Sequence, residues 1–161
     1  MITIQPTTDQ LKEAKRLATE MGAIKNSVMS GQRNFVGFVG EVVVRDLLKC
    51  QHKSNKDYDM VLEDGRTVDV KTFSSRMAPQ PSFDCNIMKS STHQKCDMYI
   101  FSGYNKDQNK LYVCGYVPRE EYYSKAVFRK KGAKDPKNGI IYRSDSYSIP
   151  VGYLLPIEDL L

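Results

Sequence analysis

At 161 residues, 40% hydrophobic and 27% charged, the chain has the length and composition of one globular domain with a core of its own. A net charge of +5 and a pI near 8.9 lean toward a polyanionic partner. Cys50, Cys85, Cys96 and Cys114 form no CxxC pair, Met1 to Pro6 lack a secretory signal, and the most apolar stretch, Phe35 to Val44, is broken by two glycines and Glu41. These features argue against a disulfide scaffold and a membrane span, and a cytoplasmic protein is expected.

Thr7 and Gln10 have capping-box spacing, and Leu11, Ala14, Ala18 and Met21 follow at helical intervals, predicting a helix that ends at Gly22. A second helix is predicted from about Gly31 to Leu48. Tyr58 to Leu62 and Thr67 to Phe73 read as strands around a Glu63-Asp64-Gly65 turn, and Phe83, Cys85 and Ile87 alternate as a third strand. Asp97 to Ser102 and Leu111 to Val117 read as two more. Pro118 opens a short helix with Glu120 and Glu121 in its first turn. Arg129 to Gly139, rich in lysine and glycine, is expected to be a mobile loop. Ile140 to Val151 reads as extended and Pro156 to Leu161 as a closing helical turn. The order predicts a single α/β (α+β) domain.

Acid-x-Lys triplets occur three times, near the roughly two that chance supplies, so context must separate them. Glu13 and Lys15 lie on a helix, where residues two apart diverge, and Asp135-Pro136-Lys137 lies in the loop. Only Asp69 and Lys71 lie on a strand, where residues two apart share a face. A three-residue turn with Gly65 left-handed pairs Met60 with Val68 and Asp59 with Asp69. Tyr58, Met60, Leu62, Val68 and Val70 then share an apolar face, and Asp59, Asp69 and Lys71 share the other. Two aspartates directly opposed repel, and a magnesium ion relieves that repulsion. Glu41 shares a helical stripe with Gly37, Val44 and Leu48 and is expected to face inward, with Gly37 and Gly40 letting its helix approach another backbone.

Gly37-Phe38-Val39-Gly40-Glu41, then Tyr58-Asp59, then Asp69-Val70-Lys71 resemble the signature of the PD-(D/E)XK nuclease superfamily, which includes restriction endonucleases, junction resolvases and phage nucleases. The resemblance covers Gly37 to about Lys71, with Tyr58 where the family name has proline. It implies a restriction endonuclease-like αβββαβ core, a central mixed sheet flanked by helices, spanning residues 31–128. Residues 1–30 would then be an N-terminal helical extension, 129–139 a basic loop and 140–161 a C-terminal segment. It implies that Asp59 and Asp69 bind Mg2+, or Mn2+ in its place, with Glu41 and the Val70 carbonyl assisting, that Lys71 is catalytic and that Gln94 is an accessory residue. The expected activity is endonucleolytic cleavage of nucleic acid, DNA before RNA, in a host cytoplasm if the chain is phage-encoded; a homodimer is compatible with it. Arg129, Lys130, Lys131 and Lys134 are candidate phosphate contacts.

Competing readings are a surface ion pair for Asp69 and Lys71, a structural role for Glu41, and a solvated loop for the four basic residues. A zinc site from Cys50, His52, His93 and Cys96 lacks familiar spacing. A nucleic-acid-binding module without cleavage, or a protein-interaction or inhibitor domain, are the rival functions.

Overall fold

The computed structural model describes residues 1–25, 31–53, 55–137 and 139–161. Residues 26–30 of the expected N-terminal extension and residue 138 of the basic loop lie outside the described residues.

The capping box forms as predicted: Thr7 N donates to Gln10 Oε1 (2.9 Å) and Gln10 N to Thr7 Oγ1 (3.2 Å). Helix α1 (Thr8–Lys25) follows and runs past Gly22, because Ala14, Ala18 and Met21 on its inner face pack on the core and hold the helix through the glycine. Helix α2 (Gly31–Leu47) lies against α1, fixed by Arg45 to Glu13 at 2.7 Å. It buries Val39, Val42, Val43 and Val44, each contributing about 1.5–3 kcal/mol of hydrophobic stabilisation.

The main sheet has six strands in the order β1-β7-β6-β4-β3-β2. They are β1 (Ile2–Ile4), β2 (Gln51–His52), β3 (Met60–Val61), β4 (Thr67–Ser74), β6 (Met98–Asn105) and β7 (Lys110–Pro118). β4 and β6 are parallel and the other pairs antiparallel, so the sheet is mixed. A second, antiparallel sheet takes the order β5-β9-β8, from β5 (Asp84–Met88), β8 (Val127–Arg129) and β9 (Ser146–Pro150). Helix α3 (Arg119–Lys125) starts after Pro118 with Glu120 and Glu121 in its first turn, as expected. No helix among the described residues is long and apolar enough to cross a membrane.

Every residue of β6 is buried, because the sheet is covered on both faces. Met98 and Ile100 join Val68, Val70 and the two long helices in one core; Tyr99 and Phe101 join Cys85, Ile87, Tyr122 and Ile149 in a second. Helices α1 and α2 cover one face of the sheet, and on the other face the short helix α3 shares the layer with the second sheet. Two expectations change. The strand at Cys85 and Ile87 does not join the central sheet, and the crossover from β4 to β6 passes through it and a 3-10 turn (Lys89–Ser91), with no α-helix. Strand β1 is too short for alternation to reveal it in the sequence; it joins the main sheet through β7, and α1 packs on the main core through Leu11, Ala14, Leu17, Ala18 and Met21.

The Asp64 turn carries Gly65 at φ +90°, Leu62 N donates to Arg66 O, and Met60 pairs Val68, the register expected of a three-residue loop. On α2 the two glycines part company. A Cβ on Gly40 would stand 1.8 Å from Thr72 Oγ1 and 3.1 Å from Ser102 Oγ, so this glycine sets how closely α2 approaches β4 and β6. A Cβ on Gly37 would meet nothing within 4 Å, so its absence does not serve packing as expected. The two substitutions should therefore differ in sign: Gly40→Ala destabilises by about 1–3 kcal/mol through overpacking, whereas Gly37→Ala gains up to about 1 kcal/mol of helix propensity. Urea unfolding of both variants measures this, and equal shifts would contradict the packing argument.

Candidate functional site

Strand β4 is paired along its whole length on one side, Val68 with Met98 through to Ser74 with Tyr104. On the other side its ladder to β3 ends at Met60 and Val68, leaving the edge from Asp69 onward without a strand. Asp59 does not pair with Asp69 as the register predicted. Its N donates to Val68 O (2.9 Å) and its Oδ2 accepts from Val70 N (2.7 Å), so the side chain caps the open edge. Opposed carboxylates repel without a cation, and the Val70 amide offers Asp59 a stronger partner. The break also turns Tyr58 away from Met60 and into the second core. Val70 N faces this edge, and in an extended chain the carbonyl of the same residue faces it too.

Asp69 and Lys71 share the opposite face of β4 from Val68 and Val70. Asp69 is 2% exposed. Its Oδ2 lies 2.5 Å from Lys71 Nζ, and its Oδ1 accepts from Gln94 Nε2 (2.8 Å). Gln94 Oε1 in turn accepts from Lys71 Nζ (2.9 Å), closing a triangle of acid, base and amide. The expected accessory residue is thus in contact with both expected site residues. Glu41 reaches the same place from α2, lining a cleft of about 390 Å³ with Val70 and Lys71.

The electrostatics mark one shared site. Burial, then the charges of Asp59 and Asp69, push the Glu41 carboxyl up to about 9 against the pull of Lys71. Burial and the Asp69 charge push Asp59 up to about 7, opposed by the Val70 N–H and Lys71. Burial raises Asp69 as well, opposed by Lys71 and Gln94. Glu41 Oε2 is buried without a hydrogen-bond partner, and Asp69 Oδ2 is buried with Lys71 Nζ as its ion-pair partner. Buried carboxylate oxygens are costly unless satisfied, and hard oxygen donors of this kind suit Mg2+ or Mn2+. As the side chains lie, no three His, Cys, Asp or Glu among the described residues form a ready ligand set. Asp59 is held by the backbone and Asp69 by Lys71 and Gln94, so the residues fit a hard cation in chemistry and burial while their oxygens are engaged elsewhere.

Arg119 was not legible in the sequence. Its Nε donates to Gln94 O (2.9 Å) and its Nη2 to Thr92 O (3.1 Å), and its guanidinium lies 5.2 Å from the Tyr123 ring centre. It holds the turn that carries Gln94. Nothing in the motif spacing points to a residue 48 positions beyond Lys71.

The four expected phosphate contacts lie away from the cleft lining. Lys130, Lys131 and Lys134 are exposed; Arg129 is half-buried, 5.8 Å from the Tyr142 ring centre, with Nε unpartnered. Their segment is not an open loop: Gly132 N to Tyr142 O, Tyr142 N to Ala133 O and Asp135 N to Ile140 O fold it as a hairpin. The Asp135-Pro136-Lys137 triplet locks that hairpin. Asp135 is buried and accepts from Lys137 N (2.9 Å), and Lys137 Nζ reaches Asp84 Oδ1 (2.8 Å) on the cleft wall. Cys50 packs on the first core and Cys96 lies in the second, on opposite faces of the sheet, so they cannot share a zinc ion. The His52 side chain lies outside the described residues.

Glu41 sets a pH dependence. Its carboxyl is ionised in the unfolded chain above the ordinary 4.5 but stays protonated in the folded, metal-free chain up to about 9. The stability this contributes is complete below the lower value and is lost as the pH rises through the upper one. In chelator, Glu41→Gln should melt above the unsubstituted protein, with the gap widening from about pH 5 to about pH 9. Thermal melts across that range check it; a constant or closing gap contradicts the buried carboxyl. Asp69→Asn is the poorer probe, because it leaves Lys71 without its ion pair.

No protein-family model and no curated protein matches this chain.

Proposed function

We propose that the chain is a magnesium-dependent nuclease of the PD-(D/E)XK type, hydrolysing phosphodiester bonds within DNA. The observation that carries the reading is the buried, unpartnered Glu41 Oε2, in a carboxyl that shares the field of Asp59, Asp69 and Lys71. A purely structural glutamate is buried with a partner, and the Asp69 carboxylate of the Asp69–Lys71 pair is buried rather than on the surface. The order α2, β3, β4 and the parallel β4–β6 pair support a restriction endonuclease-like core, although the crossover between those strands is built differently.

Asp59, Asp69, Glu41 and the Val70 carbonyl would hold the magnesium, with manganese able to replace it. When bound, the ion supplies Lewis acidity at the phosphate and lowers the pKa of water. Lys71 would orient the attacking water or stabilise charge developing on the phosphate. Gln94 fixes the Lys71 ammonium relative to Asp69, and Arg119 fixes Gln94. The exposed lysines of the hairpin provide general attraction for a polyanion.

Lys71→Ala should cut DNA cleavage by at least ~10²-fold while magnesium still stabilises the variant, by about RT ln(1 + [Mg]/Kd), and so raises its melting temperature. Cleavage within a few-fold of the unsubstituted protein removes Lys71 from the mechanism. Magnesium binding must displace protons from Glu41 and Asp59, so calorimetric affinity should rise steadily between about pH 6 and about pH 9. Absence of magnesium binding throughout that range removes the metal site. Changing Lys130, Lys131 and Lys134 to Ser should lower the salt dependence of DNA binding by roughly one unit of slope per lost contact. An unchanged slope makes the hairpin a solvated surface.

A further inference from the structure

The cleft lined by Glu41 and Lys71 has further lining residues of a different chemistry. Met21 of α1, Phe73 of β4, Phe101 of β6 and Met88 of β5 line it, with Asn86 and Asp84 beside Met88. Strand β5 alternates: Cys85 and Ile87 enter the second core, while Asp84, Asn86 and Met88 face the cleft. Met88 is 51% exposed, large and apolar at the rim of a charged site. Gly37, one helical turn before Glu41, lines the same cleft, and the space its side chain would fill is open.

Away from Lys71 this lining suits no phosphate. Lys71 is the one cation among the lining residues, and Met21, Phe73, Met88 and Asn86 offer an anion no charge. Polarisable apolar side chains, with an amide and a carboxylate beside them in the lining, match a nucleobase: a π face to stack and an edge of donors and acceptors to bond. About 390 Å³ lies at the small end of ligand pockets. A base reaches such a slot only when unpaired, because a duplex keeps its bases stacked and offers its backbone instead.

We propose that the slot lined by Gly37 and Met88 takes an unpaired base next to the bond being cut. The substrate is then single-stranded DNA, or a duplex interrupted by a flap or bulge. This rests on the nuclease reading and specifies its substrate. The hairpin lysines contribute the sequence-independent attraction, and the slot contributes the discrimination between paired and unpaired strands.

The test uses the full chain, a labelled 12-nucleotide single strand and the blunt duplex of the same sequence. In chelator, anisotropy should show the single strand bound at least about tenfold tighter than the duplex, the scale of one lost stacking contact. Gly37→Leu, which fills the slot, should abolish that preference while melting no lower than the unsubstituted protein. Met88→Ala, at an exposed position, should reduce it without a folding defect. With magnesium, the single strand and a bulged duplex should be cut at least about tenfold faster than the blunt duplex. Equal binding and cutting of single strand and duplex, or a preference that survives in both variants, overturns the slot and leaves the nuclease reading standing. Hydrolysis of bis(p-nitrophenyl) phosphate, which carries no base, reports the chemistry separately. If the protein cleaves neither that ester nor any DNA, the nuclease reading fails and the slot's assignment falls with it.

Discussion

The hydrogen bond from Val70 N to Asp59 Oδ2 stands where a strand-to-strand ladder would otherwise continue. By taking one backbone donor with a side chain, the chain ends β3 after two residues and leaves the rest of the β4 edge unfilled. Into that gap come α2, with Glu41, and β5, with Asp84, Asn86 and Met88. A longer β3 would close the edge and separate Glu41 from Lys71. The same bond spends an oxygen of Asp59 on the backbone, which is why the three carboxylates share a field without yet forming a ligand set.

Around that edge, the site is held from behind. Asp69 and Lys71 are fixed by the parallel pairing of β4 with β6, and Gln94 by Arg119, which rests on Tyr123 of α3. The site therefore draws on both cores: one positions Glu41 through the valines of α2, the other positions Gln94 through α3. Packing between α2 and β4 is regulated at Gly40, where a methyl group has no room beside Thr72.

How much of this the sequence disclosed follows from the range of each interaction. The capping box at Thr7, the left-handed Gly65 and the Met60–Val68 register are local, set within a few residues, and were readable. Asp69, Lys71 and Gln94 were readable as candidates because strand alternation placed the first two together and a resemblance suggested the third. The departure of Asp59 from its register was not readable, because it reflects competition between a ladder and a side-chain bond worth similar energies. Alternation at Cys85 and Ile87 identified a strand but not its sheet, since a period of two says nothing about the neighbour. Arg119 bonds carbonyls, and carbonyls leave no trace in residue identity.

Strand β1 carries a consequence for the order of assembly. Ile2 pairs with Val113, so the edge of the main sheet joins segments more than a hundred residues apart, and β4 meets β6 only after the chain has passed through the second sheet. Such contacts bear their loop-closure entropy before they return any stabilisation, which slows folding relative to a chain of local contacts. During synthesis α1 and α2 emerge early with their valine face uncovered, while the strands that cover it and the residues that complete the site arrive later. The cluster of Glu41, Asp59, Asp69 and Lys71 is thus among the last parts to exist. A nascent or partly folded chain carries the acidic residues without the geometry to use them.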